Sequence, residues 1–210
     1  MDLKICKMKT DKDDVEIPDI QKNYTIPAWN TGACLVCGSV KSGKTNLLSV
    51  LATDKRFYGD FFDSKNIFLF SPTAEYDTMS NNIKVPKQNR ISDNMINKLE
   101  ELTKSQISNI KAKKHKKLLI IFDDLTSCRK LMNSSIFKKV FTCCRHIHMM
   151  VFVAVHTYKS LTRLCRMQCS YVIFFRANDS EYEALAEDYT PHGRNKKYMY
   201  KLFGRFRMDL

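Results

Sequence analysis

The chain has 210 residues, room for one full-sized domain with a real core, and two domains would be a squeeze. Its 44% hydrophobic content with only six Gly and five Pro marks an ordered globular protein, and no window approaches the ~18 apolar residues of a membrane span. A formal charge of +13 favours an anionic macromolecular partner, nucleic acid above all, with a lysine-rich coding bias as the alternative.

Residues 1–31 are charged and aperiodic and read as an irregular lead-in to residues 32–190, where the folded domain is expected. Met1 to Lys7 have mixed charge and no apolar centre, so a secretory signal is not expected and the chain reads as intracellular. Trp29 suits either stacking on an adenine ring or covering an apolar edge.

The apolar run Ala33 to Cys37 predicts a strand, and Asn46 to Leu51 predict a helix. Between them Gly38-Ser39-Val40-Lys41-Ser42-Gly43-Lys44-Thr45 fits the phosphate-loop pattern G-x-x-x-x-G-K-[ST] at every fixed position. Glycines let the backbone curl with its N–H groups inward, and the helix start adds its positive dipole end, so phosphate is the natural ligand. In this pattern Lys44 reaches the terminal phosphates of a nucleotide and the Thr45 hydroxyl binds Mg²⁺. Cys34 and Cys37 form a C-x-x-C inside the strand and read as core residues. Cys143, Cys144, Cys165 and Cys169 lack finger spacing, and the eight cysteines are expected as reduced thiols.

Downstream, Asn66 to Ser71 predict a second buried strand, stopped by Pro72. Ser92 is the predicted cap of a helix through Met95, Ile96, Leu99 and Leu102, which runs out into Lys111 to Lys117, a solvated helix end or a phosphate-backbone contact. Leu118 to Phe122 predict a third strand that delivers Asp123 and Asp124 at its C-terminal end. There Asp123 would hold Mg²⁺ through water and Asp124 would orient and deprotonate an attacking water; two capping aspartates are the plainer reading.

Asn133 to Ser135 start a predicted helix through Ile136, Phe137, Val140 and Phe141 that ends near Arg145 and His146. A fourth strand, Met149 to Val155, places His156 at its tip, where it can touch a terminal phosphate or the attacking water. A helix from Tyr158 to Cys165 leads to Arg166. Tyr171 to Phe175 form a fifth strand, and Asp179 caps a helix through Tyr182, Leu185 and Tyr189. Residues 191–210 form a basic, aromatic tail that suits contact with a phosphate backbone.

Together the pattern predicts an α/β, three-layer P-loop NTPase fold with a mainly parallel central sheet of about five strands flanked by helices. A strand between the phosphate loop and Asp123-Asp124 resembles the RecA-like, additional-strand class of P-loop ATPases. The two motifs with the Arg145-His146 helix end, the run to Val155 and Arg166, and Phe174-Phe175 resemble the FtsK–HerA superfamily, in particular the genome-packaging ATPases of poxviruses and other large DNA viruses. The resemblance covers roughly residues 30–180. It implies an ATP- and Mg²⁺-dependent ATPase that forms a homo-oligomeric ring and translocates double-stranded DNA into a capsid. A capsid protein would be a further partner, and the setting the host-cell cytoplasm, a virus factory or the virion. It also implies that Arg145 or Arg166 serves a neighbouring subunit as an arginine finger, without choosing between them, and that His156 stands where the family usually carries a sensor glutamine. Histidine still hydrogen-bonds but titrates near neutrality. Two other readings stay open on the residues alone: a nucleoside or nucleotide kinase, and a nucleotide-dependent DNA-binding or capsid-assembly protein with little hydrolysis.

Overall fold

Parallel strands covered on both faces read as unbroken apolar runs, and the runs expected to be strands form one parallel sheet. The computed structural model describes residues 32–75, 79–83, 85–114, 116–175 and 177–190, with the single positions 195, 197 and 199. The lead-in 1–31, with Trp29, and most of the basic tail lie outside the described residues. Among the described residues six strands occur: β1 Ala33–Cys37, β2 Ile67–Phe70, β3 Arg90–Ile91, β4 Leu118–Phe122, β5 Met149–Val155 and β6 Cys169–Phe174. Their spatial order is β3-β2-β4-β5-β1-β6, and every pairing is parallel. Five were expected; the sixth, β3, is a two-residue edge strand too short to leave a periodic signal.

Helices α1 Lys44–Thr53, α2 Met79–Asn82, α3 Met95–Lys111, α4 Arg129–Asn133, α5 Ser135–Cys143, α6 Arg163–Met167 and α7 Asp179–Tyr189 flank the sheet. Alternate strand residues serve opposite faces. Leu35, Ile120, Val151 and Val153 pack with Leu99 of α3, Phe137 and Val140 of α5 and Leu185 of α7. Val36, Leu69, Ile121 and Phe152 pack with Leu48 and Leu51 of α1 and with Tyr58 and Phe62. The product is the expected three-layer sandwich. Among the described residues no helix is long and apolar enough to cross a membrane.

Local details differ from expectation at three places. The cap of α3 is Asn94, at φ 47°, a left-handed conformation that asparagine tolerates better than most residues. Ser92 instead turns its hydroxyl toward Glu75 at 3.5 Å. The cap of α7 is Asn178, whose Oδ1 accepts the Glu181 N–H at 3.1 Å, and Asp179 is the first helical residue. The helix expected over 158–165 is a single 3₁₀ turn at Tyr158–Ser160, followed by extended Leu161 and Thr162 and then α6, which contains Arg166. Tyr158 is pinned to α7 at both ends: its N–H donates to the Glu181 carboxylate and its hydroxyl to Asp188 at 3.0 Å.

Candidate functional site

Since all strands run the same way, everything that follows a strand emerges at one edge of the sheet. The loop after β1, Asp123-Asp124 after β4 and His156 after β5 therefore meet there, and β5 lies between the other two strands. Register fixes the levels: Cys37 pairs with Val155, and Phe122 with Val153. His156 is thereby set between the phosphate loop and Asp124.

The loop is shaped by contacts that exclude side chains. A Cβ on Gly38 would lie 2.6 Å from the Phe175 Cβ and 2.9 Å from Ser42 Oγ, so only glycine fits. Gly43, at φ 96°, turns the chain into α1, and Lys41 is also left-handed at φ 61°.

Lys44 is buried and its Nζ donates to Gly38 O at 2.9 Å and Ser39 O at 2.7 Å. It also lies 3.3 Å from His156 Nδ1. An ammonium has only donors, so Nδ1 accepts, the ring proton sits on Nε2, and Nε2 donates to Asp124 Oδ1 at 3.1 Å. A continuous Lys44–His156–Asp124 chain results. Burial draws the Lys44 ammonium below its ordinary pKa, against the opposing charges of Asp123, Cys37 and Asp124.

Thr45 Oγ1 donates to Asp123 Oδ2 at 2.8 Å, and Asp123 Oδ1 accepts the Asp124 N–H at 3.1 Å. Asp124 is left-handed, φ 51°, which turns its carboxylate away from that of its neighbour toward His156. These residues line a cavity of about 380 Å³ with loop residues 40–46 and Thr73. Thr73 went unnoticed in the sequence. Its signal is positional, because Ser71-Pro72-Thr73 leave β2 at the same edge, with Ser71 Oγ 3.0 Å from Thr73 Oγ1.

The cavity suits a nucleoside phosphate with Mg²⁺. Ser42 Oγ is buried without a hydrogen-bond partner, and two of the Lys44 donors rest on the loop's own carbonyls, which a phosphate oxygen can replace. The Thr45 hydroxyl and Asp123 carboxylate converge as hard oxygen donors. Among the described residues no group of three or more His, Cys, Asp or Glu side chains that could hold a metal ion exists. Burial pushes the Cys34 and Cys37 thiols up to about 12, so they are neutral core residues.

Neither candidate arginine lines this cavity. Arg166 is buried in its own chain: Nε donates to Asp188 Oδ2 at 2.8 Å, Nη1 to Leu161 O at 2.7 Å, and the guanidinium covers the Tyr158 ring at 4.7 Å. Arg145 is exposed in the turn before β5. Its stem lies beside Gly32, where a Cβ would be 3.3 Å from Arg145 Cγ. Gly32 precedes β1, so Arg145 stands at the sheet edge opposite the phosphate loop.

A family model described as Poxvirus A32 protein matches residues 32–206. No curated protein sequence matches the chain. Among solved structures, the genome packaging NTPase B204 of Sulfolobus turreted icosahedral virus 2 superposes with a TM-score of 0.54 at 14% identity, over 81% of this chain and 87% of that one. The cytoplasmic domain of the type VII secretion ATPase EccC of Thermomonospora curvata superposes with a TM-score of 0.51 at 12% identity, over 74% of this chain. This chain spans about a fifth of that one, 20%. At such identities the likeness is one of fold, that of P-loop NTPases.

Proposed function

The chain belongs to the poxvirus A32 protein family, and from that premise we propose that it is a viral genome-packaging ATPase, a ring-forming motor that couples ATP hydrolysis to translocation of double-stranded DNA. The observation that carries the reading is the convergence, in one cavity, of Lys44, Thr45, Asp123 and the hydrogen-bonded Asp124–His156 pair. The packaging NTPase with a similar fold supports it, as does the charge of +13.

Each side chain has a task that its geometry permits. The loop N–H groups and Lys44 hold the phosphates, while Thr45 and Asp123 would hold Mg²⁺, which supplies neutralisation of phosphate charge. Asp124 orients the attacking water and takes its proton. His156, donating to Asp124 Oδ1, orients that carboxylate and leaves Oδ2 for water. An Asp124→Asn variant keeps nucleotide binding and loses about 10²- to 10⁴-fold in single-turnover hydrolysis. Wild-type turnover in that variant would take the base away from Asp124.

Arg145 is the better candidate for the finger that completes a neighbour's site, because Arg166 is saturated within its own chain. Arg145 and the phosphate loop occupy opposite sheet edges, as a head-to-tail ring contact requires of its two faces. The basic tail, residues 191–210, is proposed as a further DNA contact. Sizing in ATP and Mg²⁺ together with DNA-stimulated phosphate release tests ring and partner at once.

A further inference from the structure

A second cavity, of about 500 Å³, opens over the starts of β2 and β4, at the sheet edge opposite the nucleotide site. Four lysines line it, Lys65, Lys114, Lys116 and Lys117, against one carboxylate, Asp63. Asp63 is already paired with Lys65 at 2.8 Å, so the cleft keeps a positive excess.

A solvated charge run needs no anchor, but this one is anchored. Gln106, fully buried in α3, donates from its side-chain amide to the Lys116 carbonyl. The Lys114 N–H bonds Asn109 O at 2.8 Å, and Lys113 takes a left-handed turn at φ 55°. On the other wall Asp63 caps the turn that carries Lys65, accepting its N–H at 3.2 Å, and Asn89 ties the Lys65 and Ile67 carbonyls, each at 3.0 Å. Buried polar side chains on two separate elements thus hold the lysines' backbone in place. Such preorganisation suits an anionic ligand that meets several of them together. The Phe61 ring in the wall already lies under Lys117 Nζ, 5.4 Å from its centroid, so no open stacking platform for an unpaired base is offered. Phosphate groups in series on a duplex fit this chemistry better than exposed bases.

We propose that this cleft is a contact site for the phosphate backbone of double-stranded DNA. It rests on the DNA-motor reading given above and adds the surface that grips the DNA. Lysines here position the backbone and carry no sequence preference.

The test is the salt dependence of duplex binding by the full chain and by the triple variant K114Q/K116Q/K117Q, with DNA-free ATP turnover as the control. All three substitutions lie outside the nucleotide cavity, so basal turnover stays at wild type. The slope of log Kobs against log salt falls by about 2 to 3 if each lysine neutralises one phosphate, and affinity at low salt falls with it. Wild-type binding with an unchanged slope in the variant would overturn the cleft and leave the DNA reading standing. A wild-type chain that hydrolyses ATP but does not bind duplex at low salt overturns the DNA reading, and the cleft with it. Polyglutamate serves as the rival ligand: displacement of duplex by it at equal charge concentration, lost in the variant, reassigns the cleft to an acidic protein segment.

Discussion

Two networks in this chain join a cation, a carboxylate and a third polar group, and they are built in opposite ways. Lys44–His156–Asp124 sits at the mouth of a cavity, with the His156 and Asp124 side chains 28% and 45% exposed. Arg166–Asp188–Tyr158 lies beneath α7, with Arg166 and Asp188 only 9% and 4% exposed. In the second, Asp188 accepts from Arg166, Arg163 and Tyr158, and the guanidinium also binds a carbonyl and covers a ring. Its groups are committed to one another. In the first, Asp124 Oδ2 stays open to the cavity and the lysine's donors rest on carbonyls that a phosphate can replace. What separates the candidate site from the architectural network is therefore whether the polar groups have capacity left over, since both networks contain the same kinds of charge.

The sharpest break is Asp188→Asn, which leaves the Arg166 charge buried without its counter-charge and costs about 3–5 kcal/mol of stability, read by chemical denaturation. Burial works to raise the Asp188 carboxyl, but hydrogen bonds from Arg166 and Tyr158 and the Arg166 charge outweigh it and hold the group below the usual carboxylate value. Its folded-state pKa is depressed, so its contribution is complete above about pH 4, near the unfolded value, and is lost as pH falls through the folded value. The stability gap between wild type and the variant should therefore close below about pH 4; a gap constant from pH 7 to pH 2 would contradict this origin. Tyr158→Phe removes one donor to the same carboxylate and should cost about 1–3 kcal/mol, with turnover per folded molecule unchanged. The smallest effect on stability belongs to the other network. His156→Gln should shift it by no more than about 0.5 kcal/mol, because the site is half open. That variant should also keep turnover within about tenfold of wild type, since a glutamine amide can accept from Lys44 and donate to Asp124 as the imidazole does, whereas His156→Ala should lose about 10²-fold. Equal turnover in the two variants would remove His156 from the Asp124 chain.

The sequence made the sheet legible because strands covered on both faces must be apolar throughout, and this holds for Ala33 to Cys37, Leu118 to Phe122 and Met149 to Val155. The site followed from the sheet, since a parallel arrangement carries every strand-end residue to one edge. Less legible was whatever depends on partners distant in sequence. Arg166 looks the same whether free or locked, and its lock is Asp188, 22 positions on. The region after His156 has helix-forming residues, yet tertiary bonds from Glu181 and Asp188 hold Tyr158 in a short turn. Caps were misplaced by one or two positions because several small polar residues adjoin each helix start, and only backbone angles tell which one is the cap.

Strand β4 begins directly after Lys117 and ends directly before Asp123. Five residues of parallel strand span about 17 Å. In mechanical terms β4 is a strut between the fuel end of the domain and the end that carries the lysine cleft, clamped on both sides by β2 and β5. A tilt of about 10° pivoted at Asp123 would carry the far tip sideways by about 3 Å, close to the ~3.4 Å rise of one base pair. For the DNA motor proposed above, a stroke of one base pair would thus lie within the reach of a small rigid rotation, with no unfolding and no long lever.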